Sequence, residues 1–233
     1  MSRLDVSGLV AGYDGPPIVH GVSVWAESGK VSVVLGANGA GKSTLLKSII
    51  GELRPSAGTV SLDGAAVTGT PPYKLVRKGI GYLPQLMSVF DELTVTENLE
   101  MGAFTRRQNL SARIGEVFEL FEDLAVKRKV RAGTLSGGQQ RMLALARTLM
   151  SEPRVVILDE PTAGLSPAYA ETVWDQVERL RARDLGFLVV EQTVRVALQH
   201  ADCAFVLASG REVVSGPPAE IGSADELAAL FVG

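Results

Sequence analysis

Cysteine is almost absent: Cys203 is the only one in 233 residues. An internal disulfide is therefore excluded, and a reducing compartment is the expected setting. Long apolar runs are missing too. No stretch approaches the roughly 18 uninterrupted apolar residues of a membrane span. Arg3 and Asp5 break the amino terminus before a signal-type apolar core develops. The expectation is a soluble, cytosolic chain whose membrane contact goes through a partner. An excess of one charge is lacking as well. Lys and Arg number 23 against 26 Asp and Glu, for a net charge of -3 and a pI near 5.5. Bulk charge thus leaves no footprint of nucleic-acid binding. Aromatics make up only 6% of a chain that is 46% apolar, enough for an ordinary core. No internal repeat or low-complexity tract is visible, and the length suits one large domain or one domain with a subdomain.

What is present begins with Gly36-Ala37-Asn38-Gly39-Ala40-Gly41-Lys42-Ser43-Thr44. The segment follows the apolar run Val31 to Leu35 and opens into Leu45 to Ile50, which reads as a helix. Strand, glycine-rich loop and helix start form the context in which a P-loop pattern carries meaning. Gly36, Gly39 and Gly41 let successive N–H groups turn inward as an anion-binding nest, and the helix aims the positive end of its dipole at the same spot. Lys42 adds a cation for outer phosphates, and the Ser43 hydroxyl can ligate Mg²⁺. The segment implies nucleoside triphosphate binding.

Before the P-loop, Leu4 to Val10 and Ile18 to Ala26 read as strands around the turn-rich Gly12 to Pro17. Tyr13 in that break is either a packed aromatic or a flat ring for a base to stack on. Gly58 to Gly64 reads as a strand closed by Asp63-Gly64. A short basic helix with Lys74, Arg77 and Lys78 follows Pro71-Pro72, and Gly79 to Leu83 is a strand ending at Pro84-Gln85. The pattern then turns helical. Thr94 and Glu97 have capping-box spacing, and a helix over Ala112 to Val126 aligns Ile114, Val117, Phe118 and Phe121. This stretch suggests a helical subdomain inserted into an α/β core.

Leu135-Ser136-Gly137-Gly138-Gln139 precedes a helix over Gln140 to Met150, a second helix start where phosphate could be held. Val155 to Leu158 is a fully apolar run, the mark of a central parallel strand, and it ends in Asp159-Glu160. Carboxylates at such a strand end lie where open α/β sheets place ligands. An Asp there can hold Mg²⁺ through water, and the adjacent Glu can orient or deprotonate an attacking water. A helix over Ala168 to Arg183, a strand Phe187 to Glu191, a helix Thr193 to Gln199, a strand Cys203 to Leu207, a Ser209-Gly210 hairpin turn and a closing helix Asp225 to Val232 complete the chain. The alternation predicts a largely parallel sheet covered on both faces.

The P-loop, Gln85, Leu135 to Gln139 and Val155 to Glu160 occur in the order found in ATP-binding subunits of ABC transporters, which the chain resembles over essentially its whole length. The resemblance implies an α/β P-loop NTPase (ABC ATPase) core with a mostly parallel sheet, an antiparallel β subdomain and an inserted helical subdomain. Residues 1–85 and 151–233 would form the core with its β subdomain, and residues 86–150 the helical subdomain. It implies ATP and Mg²⁺ as ligands, and a head-to-tail dimer, with itself or with a second ATPase subunit. Each ATP would lie between the P-loop of one subunit and Ser136, Gly137, Gly138 and Gln139 of the other. Tyr13 matches the adenine-stacking aromatic, and Gln85 the residue that senses nucleotide and membrane partner. Glu160 matches the catalytic carboxylate, with Lys42 and Gln192 acting beside it. Ser43, Gln85 and Asp159 would attend the metal.

Two positions depart from the common family pattern. Ser166 stands where an aspartate is usual, and Gln192 replaces the switch histidine; His200 lies well into the next helix. A glutamine amide can donate to a phosphate but cannot become a cation. The Gly-Leu-Ser-Pro and Val-Glu-Gln wording is similar to the smaller ATPase subunit of branched-chain amino acid importers. That resemblance implies two permease subunits and, indirectly, an extracytoplasmic solute-binding protein, with the chain peripheral on the cytoplasmic face of the membrane. The docking surface is expected near Gln85 and the partly exposed Leu86-Met87-Ser88-Val89-Phe90. The competing class is a soluble ABC-type switch acting in DNA repair or translation. It usually brings fused cassettes, coiled-coil arms or basic patches, none of which is apparent here. Another small solute, such as urea or an amide, is the alternative cargo.

Overall fold

The computed structural model describes residues 1–86 and 89–229. The chain opens with strands β1 (Arg3–Ala11), β2 (Val19–Glu27) and β3 (Val31–Leu35), then helix α1 (Lys42–Ile49). Next come β4 (Ala57–Leu62), β5 (Ala65–Ala66), α2 (Pro72–Lys78) and β6 (Ile80–Leu83). Helices α3 (Val95–Gly102), α4 (Leu110–Leu120) and α5 (Glu122–Val126), a 3₁₀ turn at Ala132–Thr134, and α6 (Gly137–Leu149) follow. The last part holds β7 (Val155–Asp159), α7 (Pro167–Arg181), β8 (Gly186–Glu191), α8 (Val194–His200), β9 (Cys203–Ala208), β10 (Arg211–Gly216) and α9 (Ala224–Ala229).

Two sheets organise these elements. An antiparallel sheet has the order β2-β1-β4-β5, and a six-stranded sheet has the order β10-β9-β3-β8-β7-β6. The second is parallel from β9 to β6 and antiparallel only at its β10 edge. All five residues of β3 and of β7 are buried, as both faces of a central parallel strand must be. One face carries Val34, Ile157, Leu188, Val190 and Phe205, which pack with Leu45, Leu46 and Ile49 of α1 and with the inner residues of the antiparallel sheet. The opposite face carries Val33, Val156, Leu158, Phe187 and Val189 against α6, α7 and the smaller helices. The result is three layers, with the P-loop end of β3 emerging from the middle one.

Most sequence-level elements are found, and the differences have local causes. The expected helix over Ala112 to Val126 is two helices, broken at Phe121, where φ is -124° and ψ 69°. The break keeps Phe121 in the core and re-aims the next turn so that Leu124 is buried too. A one-residue break is invisible to periodicity. Helix α6 begins at Gly137 rather than Gln140. Ser136 accepts from the Gln139 N–H while the Gln139 side chain accepts from the Ser136 N–H, so a capping box recruits both glycines into the first turn. Strands β5 and β10 are additional, each completing a hairpin whose turn, Asp63-Gly64 or Ser209-Gly210, has two left-handed residues. The closing helix is described to Ala229; its expected end at Val232 lies outside the described residues, as do Met87 and Ser88.

Within residues 95–149 helix α3 packs on α6, and α6 in turn packs against β6. At the crossing of α3 and α6, Gly102 lies against the backbone of Arg147: a Cβ added there would sit 2.3 Å from the Arg147 carbonyl oxygen. Only glycine permits that approach. Gly102→Ala should cost about 1–3 kcal/mol, a fall of about 3–10 °C in Tm for a chain of this size. A thermal melt that is unchanged in the variant would show that the crossing tolerates separation.

Candidate active site

At the end of β3 the chain turns into α1 through three glycines that geometry demands. A Cβ on Gly36 would lie 2.6 Å from the Leu207 carbonyl oxygen, and Gly39 and Gly41 have φ of 81° and 100°. Gly41 caps α1 without a side chain, so no side-chain oxygen takes up the first-turn N–H groups. They converge with the helix dipole to make an anion site. Asn38, Gly39 and Ser43 are exposed at its mouth, whereas Lys42 and Thr44 are buried. The Lys42 ammonium donates to the carbonyls of Gly36 at 2.7 Å and Ala37 at 3.0 Å, curling back over the loop. Burial pushes its pKa down, opposed by Glu160, Asp159 and Glu191.

The acidic wall comes from β7. Asp159 and Glu160 are 8% and 6% exposed. Glu160 has φ of 46°, a left-handed conformation that costs a non-glycine residue about 1–2 kcal/mol. Its N–H donates to Val190 O at 2.9 Å, which pins the turn to β8. Its two carboxylate oxygens are each taken by an amide: Gln85 Nε2 reaches Oε2 and Gln192 Nε2 reaches Oε1, both at 2.5 Å. Lys42 Nζ stands 3.9 Å from Oε1. Residues far apart in sequence thus converge on one carboxylate, which is oriented yet remains a proton acceptor. Asp159 accepts from the Tyr82 hydroxyl at 3.4 Å. Its carboxyl is pushed above the ordinary range, first by burial and then by neighbouring Glu160.

A second ring of contacts holds these groups. Arg141 of α6, buried, donates to the Pro84 and Gln85 carbonyls at 3.1 and 3.0 Å, fixing the backbone that carries the Gln85 amide. Glu191, 3% exposed, accepts from Thr162 Oγ1 at 2.6 Å, Thr162 N at 3.2 Å and Gln192 N at 3.2 Å. It therefore ties the loop after Glu160 to the segment carrying Gln192. Burial raises its carboxyl above the usual range. None of Arg141, Thr162, Glu191 or Tyr169 is marked by a motif of its own. Glu191 nevertheless carries the same signal as Asp159: an acid ending a fully apolar strand.

Two expected groups stand apart from this centre. Tyr13 is exposed on the loop between β1 and β2, with Lys47 of α1 5.8 Å from its ring centroid, so one face is available for stacking. Ser136, Gly137, Gly138 and Gln139 form the start of α6. Among the described residues, no hydrogen bond or ion pair links them to Gly36–Thr44. Their side-chain partners are Tyr169, 3.3 Å from Ser136 Oγ, and Lys127, 2.8 Å from Gln139 Oε1. The donors around the phosphate loop that could face a divalent cation are oxygens of Ser43, Gln85 and Asp159, a hard set that suits Mg²⁺. Among the described residues, no group of three or more His, Cys, Asp or Glu is poised for a resident metal.

The desolvated Asp159 should weaken the isolated protein. Its folded pKa lies above its unfolded one, so the ionised form costs stability at neutral pH, and the cost vanishes below the unfolded value of about 4. Asp159→Asn should raise Tm by about 2–4 °C at pH 7.5 without ligand. The gain should shrink as the pH falls toward 4. Equal melting temperatures for parent and variant at pH 7.5 would contradict this electrostatic account.

The family model for the ABC transporter matches residues 19–163. The probable branched-chain amino acid transport ATP-binding protein LivF of Archaeoglobus fulgidus is 41% identical over 97% of this chain and 96% of its own length. BraG of Pseudomonas aeruginosa, a high-affinity branched-chain amino acid transport ATP-binding protein, is 41% identical over 84% of each chain. The lipopolysaccharide export system ATP-binding protein LptB of Escherichia coli is 33% identical over 100% of this chain and 98% of its own. Among solved structures, the ADP conformation of MJ1267, an ATP-binding cassette of an ABC transporter, superposes with a TM-score of 0.87 at 27% identity, covering 100% of this chain and 99% of the other. With the phosphate loop, the paired acids and the amides all in one centre, the chain belongs to the ABC transporter family, as a nucleotide-binding ATPase subunit.

Proposed function

We propose that this subunit binds ATP with Mg²⁺ at Gly36–Thr44, hydrolyses it with Glu160 as the base, and drives import of a branched-chain amino acid. The observation that carries the catalytic part is the convergence of Gln85 and Gln192 on the two oxygens of Glu160. A carboxylate oriented by two amides and close to Lys42 is suited to take a proton from a water attacking the terminal phosphate. Ser43 and Asp159 would hold the Mg²⁺, with Gln85 beside them, and the ion would supply charge neutralisation at the phosphates. Lys42 would leave the Gly36 and Ala37 carbonyls for the outer phosphates. Tyr13 offers its open face to the adenine. Gln192 stands at the switch position; its amide donates without carrying charge.

In this reading the nucleotide is completed by a second subunit, identical or not, packed head-to-tail. The motivation is that Ser136–Gln139 stands apart from the phosphate loop of its own chain while presenting a capped, glycine-lined helix start of the kind that holds anions. The core is residues 1–85 and 151–233, and residues 86–150 act as the helical arm that carries Ser136. Gln85 lies between the two and reads the nucleotide through Glu160.

The work is delivered at a groove of about 470 Å³ lined by Phe90, Met101, Phe104, Val76, Tyr82 and Arg147, among others. Phe90, Met101 and Phe104 are 46%, 47% and 54% exposed, and Arg147 lies 5.1 Å over the Phe90 ring. Leu86 is 83% exposed at the neighbouring loop, so the apolar patch extends toward Gln85. A permease would seat a short helix of a cytoplasmic loop here by apolar anchors. No described helix is long and apolar enough to cross a membrane, which fits a peripheral subunit on the cytoplasmic face, supplied by two permeases and an extracytoplasmic binding protein. The cargo assignment rests on the 41% identical relatives.

Two experiments test the reading. Glu160→Gln keeps the size of the side chain and removes the base. ATP turnover should fall by about 100-fold or more, while ATP-dependent dimer seen by size-exclusion chromatography increases. Wild-type turnover in that variant would move the base elsewhere. Phe90→Asp places a charge in the groove at an exposed position. A tagged subunit expressed with its neighbouring genes should bring down membrane proteins, and Phe90→Asp should lose them while still binding ATP. Retention of the same membrane partners by Phe90→Asp would refute the groove. Stimulation of ATPase activity by a liganded binding protein for another solute would replace the cargo.

A further inference from the structure

Tyr169 is the third residue of α7, two positions after Pro167. The helix start is fixed by the Ala170 N–H donating to Ser166 O at 2.9 Å. From there the phenol reaches across to the start of α6. Its ring lies flat against Gly138: a Cβ at Gly138 would sit 2.3–2.6 Å from three ring carbons, so the glycine and the ring occupy each other's only space. The phenol oxygen ends 3.3 Å from Ser136 Oγ.

Hydrogen-bond counting at Ser136 Oγ gives this contact a consequence. A serine hydroxyl has one proton and two lone pairs. One lone pair accepts the Gln139 N–H at 3.3 Å in the capping box. Either oxygen can donate across this distance; the phenol is the more acidic of the two, and with Tyr169 as donor its O–H takes the second lone pair. Both acceptor sites are then filled and the serine proton is left pointing outward, beside the uncapped N–H groups of Gly137 and Gly138. An ionised phosphate oxygen accepts only. A serine restricted to donating suits it, whereas a serine free to rotate presents lone pairs to it part of the time.

We propose that Tyr169 is a positioning residue for Ser136, turning its proton outward as a one-way donor to the terminal phosphate of ATP held by the phosphate loop of a second subunit. This rests on the head-to-tail reading above. The phenol acts through the serine and touches no nucleotide of its own subunit. The donor geometry of α6 is therefore controlled from α7, the helix that follows the Glu160 loop.

The test uses ATP-driven dimerisation in the Glu160→Gln background, followed by light scattering across an ATP titration, with Tyr169→Phe, Ser136→Ala and the pair added to it. Tyr169→Phe keeps the ring on Gly138, so its melting temperature should match that of its parent. ATP for half-maximal dimer should rise about three- to tenfold, the equivalent of one neutral hydrogen bond. Binding of a fluorescent ATP analogue to dilute monomer should not change. Adding Tyr169→Phe to Ser136→Ala should have no further effect. An unchanged ATP midpoint in Tyr169→Phe overturns the proposal. So does an undiminished effect of Tyr169→Phe when Ser136 is already alanine, because the phenol would then act by another route. If the Glu160→Gln protein forms no dimer with ATP, alone or with its partner ATPase, the two-subunit reading fails first and takes this inference with it.

Discussion

The carboxylate of Glu160 is where this structure is tied together. It stands at the end of a fully buried strand, in a left-handed backbone conformation, with its N–H on Val190 and each oxygen on a different amide. The two amides sit on different loops, Gln85 after β6 and Gln192 after β8, while Val190 lies within β8 itself. The six-stranded sheet fixes the strand ends in register, so the carboxylate can sense a displacement of either loop. Arg141 extends the chain of contact from the Gln85 carbonyl into α6, and Glu191 extends it from Gln192 to Thr162. The same cluster is a joint between the six-stranded sheet and α6.

The joint is electrostatically expensive. Asp159, Glu160 and Glu191 are all buried within one neighbourhood, balanced by Lys42 and Arg141, which are themselves desolvated. The pKa directions reflect that conflict: the Asp159 and Glu191 carboxyls rise and the Lys42 ammonium falls, with burial the leading cause in each case. A structure optimised for stability alone would not assemble these charges. An incoming polyphosphate with its cation would exchange the Lys42 carbonyl contacts for phosphate contacts and give Asp159 a positive partner. Under the proposed function, ligand binding and relief of this strain would be the same event.

The phosphate loop, the acidic strand end and most strands were legible in the sequence because each is written locally. A glycine spacing, an apolar run and an acid at its end are all contained within ten residues. The break at Phe121 was not, since a one-residue interruption leaves the apolar stripe intact, whereas the early start of α6 was written locally in the Ser136–Gln139 capping box. Glu191 was legible in principle, by the same rule that picked out Asp159, but its partner Thr162 is 29 residues away and only the sheet brings them together. Arg141 and Tyr169 are silent in the sequence for the same reason. An arginine on a helix and a tyrosine near a proline are ordinary until the fold shows what they touch.

Gln192 shows how far a departure from a family pattern can be given physical content. An imidazole at this place would titrate near neutrality and could present either a donor, an acceptor or a cation to the phosphate. The amide presents two fixed N–H donors at any pH, one of them engaged with Glu160 at 2.5 Å. Gln85 offers Glu160 the same chemistry from the opposite side. Glu160 is thus flanked by two neutral amide donors, and neither can release a proton to it or take one from it. The two amides carry no charge and bear only on where the carboxylate points. Under the proposed function, a glutamine at this place would supply orientation without charge, and charge stabilisation would be left to Lys42, the α1 amides and any bound Mg²⁺.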